Sequence, residues 1–129
     1  MAMFPYNEFS SLTVRNVSPD MGDPTVVYDG VDLPLCGHVA ITSILIANKS
    51  DDPKLISFSV RKMDDTEDTQ IFHEVQVPVN QPYDILQGSK IFLKKEDVLK
   101  AWTDINGEEW FDLFVSYVIY TPSDLQPVI

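Results

Sequence analysis

Short apolar runs of strand length recur along this sequence, and stretches rich in Pro, Gly, Asn and Asp separate them. In the clearest run, Ile56, Phe58 and Val60 alternate with two serines. A period of two places side chains alternately on the two faces of a β-strand, whereas an amphipathic helix needs a period of 3.6. Several short strands at this spacing are typical of a sandwich or barrel, so we expect an all-β fold.

The runs predict a single-domain antiparallel β-sandwich, jelly-roll-like, with about eight strands. They cover residues 11–17, 25–28, 38–48, 56–61, 70–77, 83–86, 89–93, 96–102 and 110–120. The pieces at 83–86 and 89–93 are short and flank Gly88. Within 96–102, Val98, Leu99 and Trp102 also fit a helical spacing, and we interpret this segment as a strand.

Two turn signals predict which strands pair. The acidic stretch 64–68 separates two alternating runs, so we expect a hairpin of 56–61 with 70–77. Asn106-Gly107 is the strongest hairpin-turn signal of the chain, and it predicts that 110–120 folds onto residues 98–103. The strand at 110–120 is apolar on both faces, so it either lies centrally in the sandwich or covers a subunit contact.

Both ends of the chain are apolar. We expect an N-terminal arm at 1–10, a sandwich domain at 11–120 and a C-terminal arm at 121–129. Free solvation of apolar arms is unfavourable, so they fold back on their own domain or dock on a neighbouring subunit as extended arms. The candidate interface residues are Phe4, Tyr6, Phe9, Tyr120, Leu125, Val128 and Ile129.

Charge and cysteine content exclude several classes of partner. The formal net charge of -11 repels phosphate backbones and anionic lipid surfaces, which predicts that the protein binds no nucleic acid and no membrane. We find no signal-peptide pattern and no apolar stretch long enough to span a bilayer, and we expect a soluble protein. The single cysteine, Cys36, allows no intramolecular disulfide and no multi-cysteine zinc site, which favours a reducing, intracellular origin.

The residue types that carry chemistry form no recognisable site. A nucleophile elbow and a glycine-rich phosphate loop are missing from the sequence. We place His73 on the inward face of its strand as a structural histidine, and no third ligand accompanies Cys36 and His38. The acidic stretch lacks the EF-hand pattern, so a solvated loop is favoured over a Ca²⁺ site. We therefore expect a protein that is not an enzyme, with no catalytic residue, cofactor or metal.

The order of segments from His38 to Tyr117 resembles a family of small β-sandwich virion proteins of tailed bacteriophages, particularly of marine and cyanobacterial hosts. The matching stretches are HVAITSILIANKSDDPKLISFSVRK, VPVNQPYDILQGSKIFLKKEDVLKAW and WFDLFVSYV, and the span from His38 to Tyr117 covers about two thirds of the chain. Within them the matching residues are Thr42, Ser43, Ile44, Ala47, Asn48, Gly88, Ser89, Lys90, Leu93, Asp97, Leu99, Ser116 and Tyr117. Glu96 departs from the pattern, which has glycine before the aspartate.

The resemblance implies a non-enzymatic virion structural protein of the tail, neck or baseplate, assembled in the host cytoplasm. Its partners would be copies of itself, in a symmetric homo-oligomer, and other virion proteins. Two other functions stay open. One is a capsid decoration protein whose arms clamp adjacent subunits. The other is a carbohydrate- or receptor-binding module of a fibre, in which aromatic side chains such as Trp102 and Trp110 stack on sugar rings.

Overall fold

The computed structural model describes residues 6–34, 36–103 and 109–121, and these residues form an all-β fold. The strands are β1 (Tyr6–Val14), β2 (Thr25–Asp29), β3 (His38–Asn48), β4 (Lys54–Arg61), β5 (Thr69–Val77), β6 (Tyr83–Asp84), β7 (Ile91–Lys94), β8 (Val98–Thr103) and β9 (Phe111–Thr121). A short 3-10 helix, Gly30–Asp32, follows β2. Of the ambiguous segment at 96–102, residues 98–102 belong to β8, as predicted, and residues 96 and 97 precede the strand.

The strands form two antiparallel sheets. The first has the order β1-β9-β3-β6, with β7 also paired to β3, and the second has the order β2-β8-β4-β5. β6 and β7 pair with successive parts of β3, so together they occupy one strand position in the first sheet. The nine described strands therefore occupy eight positions. Two four-position sheets in this order are the arrangement of a jelly roll. The predicted antiparallel β-sandwich is confirmed.

The core lies between the two sheets and follows the period of two. Ile56 and Phe58 on β4 are fully buried, and so are Phe111 and Val115 on β9. The rings of Tyr28 and Tyr117 meet across the sheets at 5.2 Å between centroids. Since β9 lies between β1 and β3, its apolar inner face belongs to the core, as predicted for a central strand.

One predicted hairpin is confirmed and the other is wrong. β4 and β5 pair across the acidic loop. β8 does not fold against β9, because β8 pairs with β2 and β4 in the second sheet whereas β9 pairs with β1 and β3 in the first. The Asn106-Gly107 turn itself lies outside the described residues. A jelly roll crosses from one sheet to the other at this point of the chain, so a local turn signal does not decide the partner.

The predicted inward position of His73 is also wrong. Between the pairs Ile56–Val75 and Phe58–Phe72, β5 contains one residue more than β4. Glu74 takes up this extra residue with a φ of 47°. Such a bulge reverses the alternation, so Phe72 packs against the core and His73 is exposed.

The first strand begins earlier than predicted. Residues 6–10, which we assigned to the N-terminal arm, belong to β1 and pair with β9, and Tyr6 lies opposite Thr121. β1 ends at Val14, and Asn16 then adopts a left-handed φ of 59°. Residues 1–5 and 122–129 lie outside the described residues, so the docking of the two arms stays a prediction.

Candidate assembly surface

The outer face of the first sheet carries three rows of side chains that run across neighbouring strands. The pairing register defines the rows, because residues directly opposite each other in antiparallel strands point to the same face. The rows are Thr13–Phe114–Leu45, then Ser11–Ser116–Ser43, then Phe9–Val118–Ala40–Phe92. We call these ten residues the outer patch.

The outer patch is uncharged and exposes large apolar side chains. Phe9 is 78% exposed, Phe92 59%, Phe114 45% and Leu45 37%. In this chain 22% of all residues are charged, yet none of the ten residues of the patch is. An exposed apolar area rimmed by polar groups is typical of a protein interaction site.

Charged and polar side chains border the patch at both ends. At one end Lys49 Nζ lies 3.0 Å from Asp112 Oδ1, which also accepts a hydrogen bond from the backbone N–H of Asn16. Burial raises the pKa of Asp112, but the Asn16 N–H and the Lys49 ammonium outweigh burial, and the pKa is lowered. At the other end the rings of His38 and Tyr120 stack at 4.9 Å.

The outer face of the second sheet carries charged side chains beside the exposed Val26, which lies opposite Lys100. Arg61 Nε donates to Asp68 Oδ1 at 2.7 Å, and Lys100 Nζ lies 3.4 Å from Asp68 Oδ2. Asp68 belongs to the acidic loop, so part of that loop is paired to the strands beside it. The two faces of the sandwich therefore differ in chemistry, since the ten residues of the outer patch include no charged side chain.

The predicted interface residues divide into three groups. Phe9 lies in the outer patch, and Tyr120 lies beside it, half-buried against His38. Tyr6 is part of β1, opposite Thr121. The remaining four, Phe4, Leu125, Val128 and Ile129, lie outside the described residues.

The prediction missed three exposed residues of the patch, Leu45, Phe92 and Phe114. A signal for Phe114 was present, because the strand at 110–120 is apolar on both faces. Leu45 sits in a run that is apolar almost throughout, and Phe92 sits in a short piece. For these two, only the strand register reveals that they share a face.

The tryptophans do not offer open rings for stacking. Trp102 and Trp110 are each 8% exposed. The ammonium of Lys54 lies over the Trp110 ring at 4.1 Å from its centroid. Both indole rings are therefore packed against other residues of the domain.

Other candidate groups lie apart from one another. Cys36 is exposed and has a φ of 64°. His73 Nε2 lies 3.9 Å from Glu74 Oε2 on the surface. Among the residues that the structure describes, no three His, Cys, Asp or Glu side chains are grouped so as to hold a metal ion. Within the same part of the chain, no helix is long and apolar enough to cross a membrane.

Comparison with known proteins identifies the fold. No protein-family model and no curated protein matches this chain. Its structure is similar to that of a protein from Bacillus endospore appendages, described as a novel family of disulfide-linked pili. The TM-score is 0.52 at 9% sequence identity, and the match covers 93% of this chain and 90% of the other.

A second similar structure is that of the CBM22-1–GH10 modules of a Clostridium thermocellum endo-1,4-β-D-xylanase complexed with xylohexaose. Here the TM-score is 0.39 at 11% identity, and the match covers 97% of this chain but 27% of the xylanase chain. At 9% identity the likeness to the appendage protein is one of fold. The chain is a β-sandwich that matches the appendage protein over nearly the whole length of both.

Proposed function

We propose that this chain is a non-enzymatic structural protein of a phage virion, part of the tail, neck or baseplate, that assembles symmetrically. Its partners are copies of itself and other virion proteins, and it contacts them through the sandwich and its apolar ends. The observation that carries the proposal is the uncharged outer patch, on which Phe9, Phe92 and Phe114 are exposed.

The energetics of the patch favour a contact with protein. Burying a phenylalanine side chain contributes about 1.5–3 kcal/mol, so covering the exposed parts of three rings contributes on the order of 3–5 kcal/mol. Ser11, Ser43 and Ser116 form a polar row between the two apolar rows, and hydroxyl groups can hydrogen-bond within an interface. A surface of this kind suits a partner of ordinary protein composition.

The similarity to the appendage protein supports an assembling role. That protein belongs to a family described as disulfide-linked pili, and the match covers both chains almost completely. The present chain differs because Cys36 is its single cysteine. One thiol per subunit can join two subunits but cannot link a continuous row. Extended assembly here therefore depends on non-covalent contacts.

The resemblance to phage virion proteins supports the finer assignment. Its motifs lie at structural positions of the fold. Thr42 to Asn48 occupy the middle and end of β3, and Gly88 lies in the turn before β7. Asp97 accepts hydrogen bonds at the start of β8. The matching residues thus build the scaffold, as in a structural component of a particle.

The carbohydrate-binding alternative receives less support. It relies on aromatic rings that lie open to a sugar, and both indoles are buried. The exposed rings are phenylalanines without a polar handle, which suits protein contacts better than sugar stacking. A capsid decoration protein shares the same surface chemistry, and its position on the particle distinguishes it.

The test combines assembly in solution with location on the particle. Size exclusion coupled to light scattering gives the mass over a range of concentrations, and immunogold labelling of phage particles gives the position. Phe114→Lys places a charge in the outer patch, and Ile71→Lys places the same charge on β5, where Ile71 is 39% exposed. We expect the first variant to lose assembly and the second to keep it. Equal masses for the two variants would refute the patch as the contact, and labelling on the capsid would favour decoration.

A further inference from the structure

The free edges of the two sheets differ in how well they are protected from pairing with other strands. Open edges present unpaired backbone N–H and C=O groups, and proteins usually shorten them, bend them with bulges, or place proline or lysine on them. β2 has five residues and an irregular register, and β6 has two residues. β7 has four residues and ends in lysine, and the register of β5 shifts twice.

β1 has none of these protections. It has nine residues, all of them paired in one continuous register with β9, and it contains no proline, glycine or lysine. Its single charged residue is Glu8. Among the edge strands that the structure describes, β1 is therefore the one best able to pair with a strand of another molecule.

The hydrogen bonds around β9 show which groups of β1 are free. Lys49 N donates to Trp110 O at 2.7 Å, so this carbonyl points toward β3. Val17 N donates to Phe111 O at 3.0 Å, so the next carbonyl points toward β1. Peptide groups alternate along a strand, so the odd-numbered residues of β9 bond to β1.

The pairing register between β9 and β1 then shows which residues of β1 direct their backbone groups to the open edge. The odd-numbered residues of β9 lie opposite the even-numbered residues of β1, and Tyr117 for example lies opposite Ser10. The backbone groups of the even-numbered residues are therefore used within the sheet. Those of Phe9, Ser11 and Thr13 point outward along the open edge. The side chains of the same three residues belong to the outer patch.

We propose that β1 pairs antiparallel with β1 of a second copy of this chain, about a two-fold axis at Ser10. This inference rests on the proposed function and names its first contact. The register is the one that pairs all nine residues, and it places Phe9 opposite Ser11 of the copy. The two strands would exchange about eight backbone hydrogen bonds.

The charges and the side-chain pattern of β1 favour a second copy of this chain as the partner. A net charge of -11 opposes contact between copies anywhere that their acidic groups meet. In this register Glu8 faces Leu12 of the copy, and the two Glu8 side chains stand about 14 Å apart, beyond the screening length of about 8 Å at physiological salt. The two Phe9 rings are diagonal neighbours within reach of each other. Pairing also joins the two outer patches into one continuous surface.

A proline at position 11 tests the hydrogen bonds. Ser11→Pro removes an N–H that points to the open edge and not to β9, so the fold should tolerate it, as edge strands do. Ser11→Ala removes the hydroxyl and keeps the N–H, and it is the matched control. We expect Ser11→Pro to raise the dissociation constant of the dimer by about tenfold or more, with unchanged circular dichroism. The alanine variant should dimerise like the wild type.

A cysteine pair tests the register independently of that variant. In a Cys36→Ser background, Ser10→Cys would place two Cα atoms about 4.5 Å apart across the axis, within the range of a disulfide. Glu8→Cys would place them about 14 Å apart. We expect oxidation to cross-link the first variant at least tenfold faster than the second. Equal rates would overturn the register.

The outcomes separate the pairing from the proposed function. If Ser11→Pro assembles like the wild type, the pairing is wrong, while the proposed assembly through the outer patch stands. A wild type that remains at 14.6 kDa at every concentration would also overturn the pairing, and the structural function would then rest on other virion proteins. A dimer that needs both the Ser11 N–H and the Ser10 register supports the proposal.

Discussion

Truncation of Phe58 is the most direct test of the packing between the sheets. Phe58 is fully buried on β4, lies opposite Ala101 and Phe72, and meets the Phe72 ring edge-to-face at 6.0 Å and 79°. Phe58→Ala leaves a cavity that its β-sheet neighbours fill only in part, and such changes cost about 3–5 kcal/mol. The lost aromatic pair accounts for about 0.5–1.5 kcal/mol of that cost. The expected cost is a large part of the total stability of a domain of this size, about 5–15 kcal/mol.

Urea unfolding followed by tryptophan fluorescence measures the loss, since both indoles are buried. With an m-value of about 2 kcal/mol per M, a loss of 4 kcal/mol lowers the midpoint by about 2 M. Phe92→Ala is the matched control, because Phe92 is 59% exposed on the outer face and should cost under about 0.5 kcal/mol in the monomer. A cost below about 1 kcal/mol for Phe58→Ala would refute the packing argument.

Three further predictions concern single positions and one chain end. Glu96 has a left-handed φ of 70°, so Glu96→Gly should stabilise the fold by about 0.5–1 kcal/mol, measurable by urea unfolding. Burial raises the pKa of Asp97, but hydrogen bonds from the Lys94 N–H and Lys62 outweigh burial and lower it. Its stabilisation is therefore complete above about pH 4 and is lost as the pH falls through the lowered pKa, and Asp97→Asn should flatten this acid dependence in unfolding curves. Deleting Leu125–Ile129 should weaken assembly in light scattering and leave the β-type circular dichroism intact; loss of that signal would place the segment in its own core.

The strands themselves could be predicted from local pattern. The run at 38–48 matches β3 in its bounds, and the alternation of Ile56, Phe58 and Val60 matches the buried face of β4. The alternation of apolar and polar residues predicts these strands correctly because burial on one face selects apolar residues at every second position. The hairpin of β4 with β5 followed for the same reason, since the two strands are joined by a short polar loop.

The partners of distant strands could not be predicted in this way. Asn106-Gly107 is a turn signal that describes at most a few residues, while the sheet that β9 joins is decided by its contacts with β1 and β3, far away in the sequence. The bulge in β5 could not be predicted from the sequence for another reason. Its left-handed residue is Glu74, and a glutamate in a strand carries no signal for a positive φ.

Glu96 is the residue at which the sequence departs from the pattern of the phage virion proteins that we propose as its relatives. Glycine is the residue that this pattern has there, and the left-handed φ of Glu96 is one that glycine adopts without strain. The geometry of this corner is held by its neighbours, because Asp97 accepts hydrogen bonds from the backbone N–H groups of Met63 and Lys94. The conformation is thus kept although the easier residue is absent.

The outer patch would allow this strongly acidic chain to associate with itself, as we propose. Its residues come from four strands, and no single stretch of sequence contains more than three of them, so the patch exists only once the register is known. The charges of the second sheet stand on the opposite side of the sandwich, and sheets pack about 10 Å apart, which exceeds the screening length at physiological salt. Copies that meet at the outer patch or at β1 therefore keep those charges separated. It follows that added salt should strengthen assembly only slightly, whereas a charge placed within the patch should abolish it.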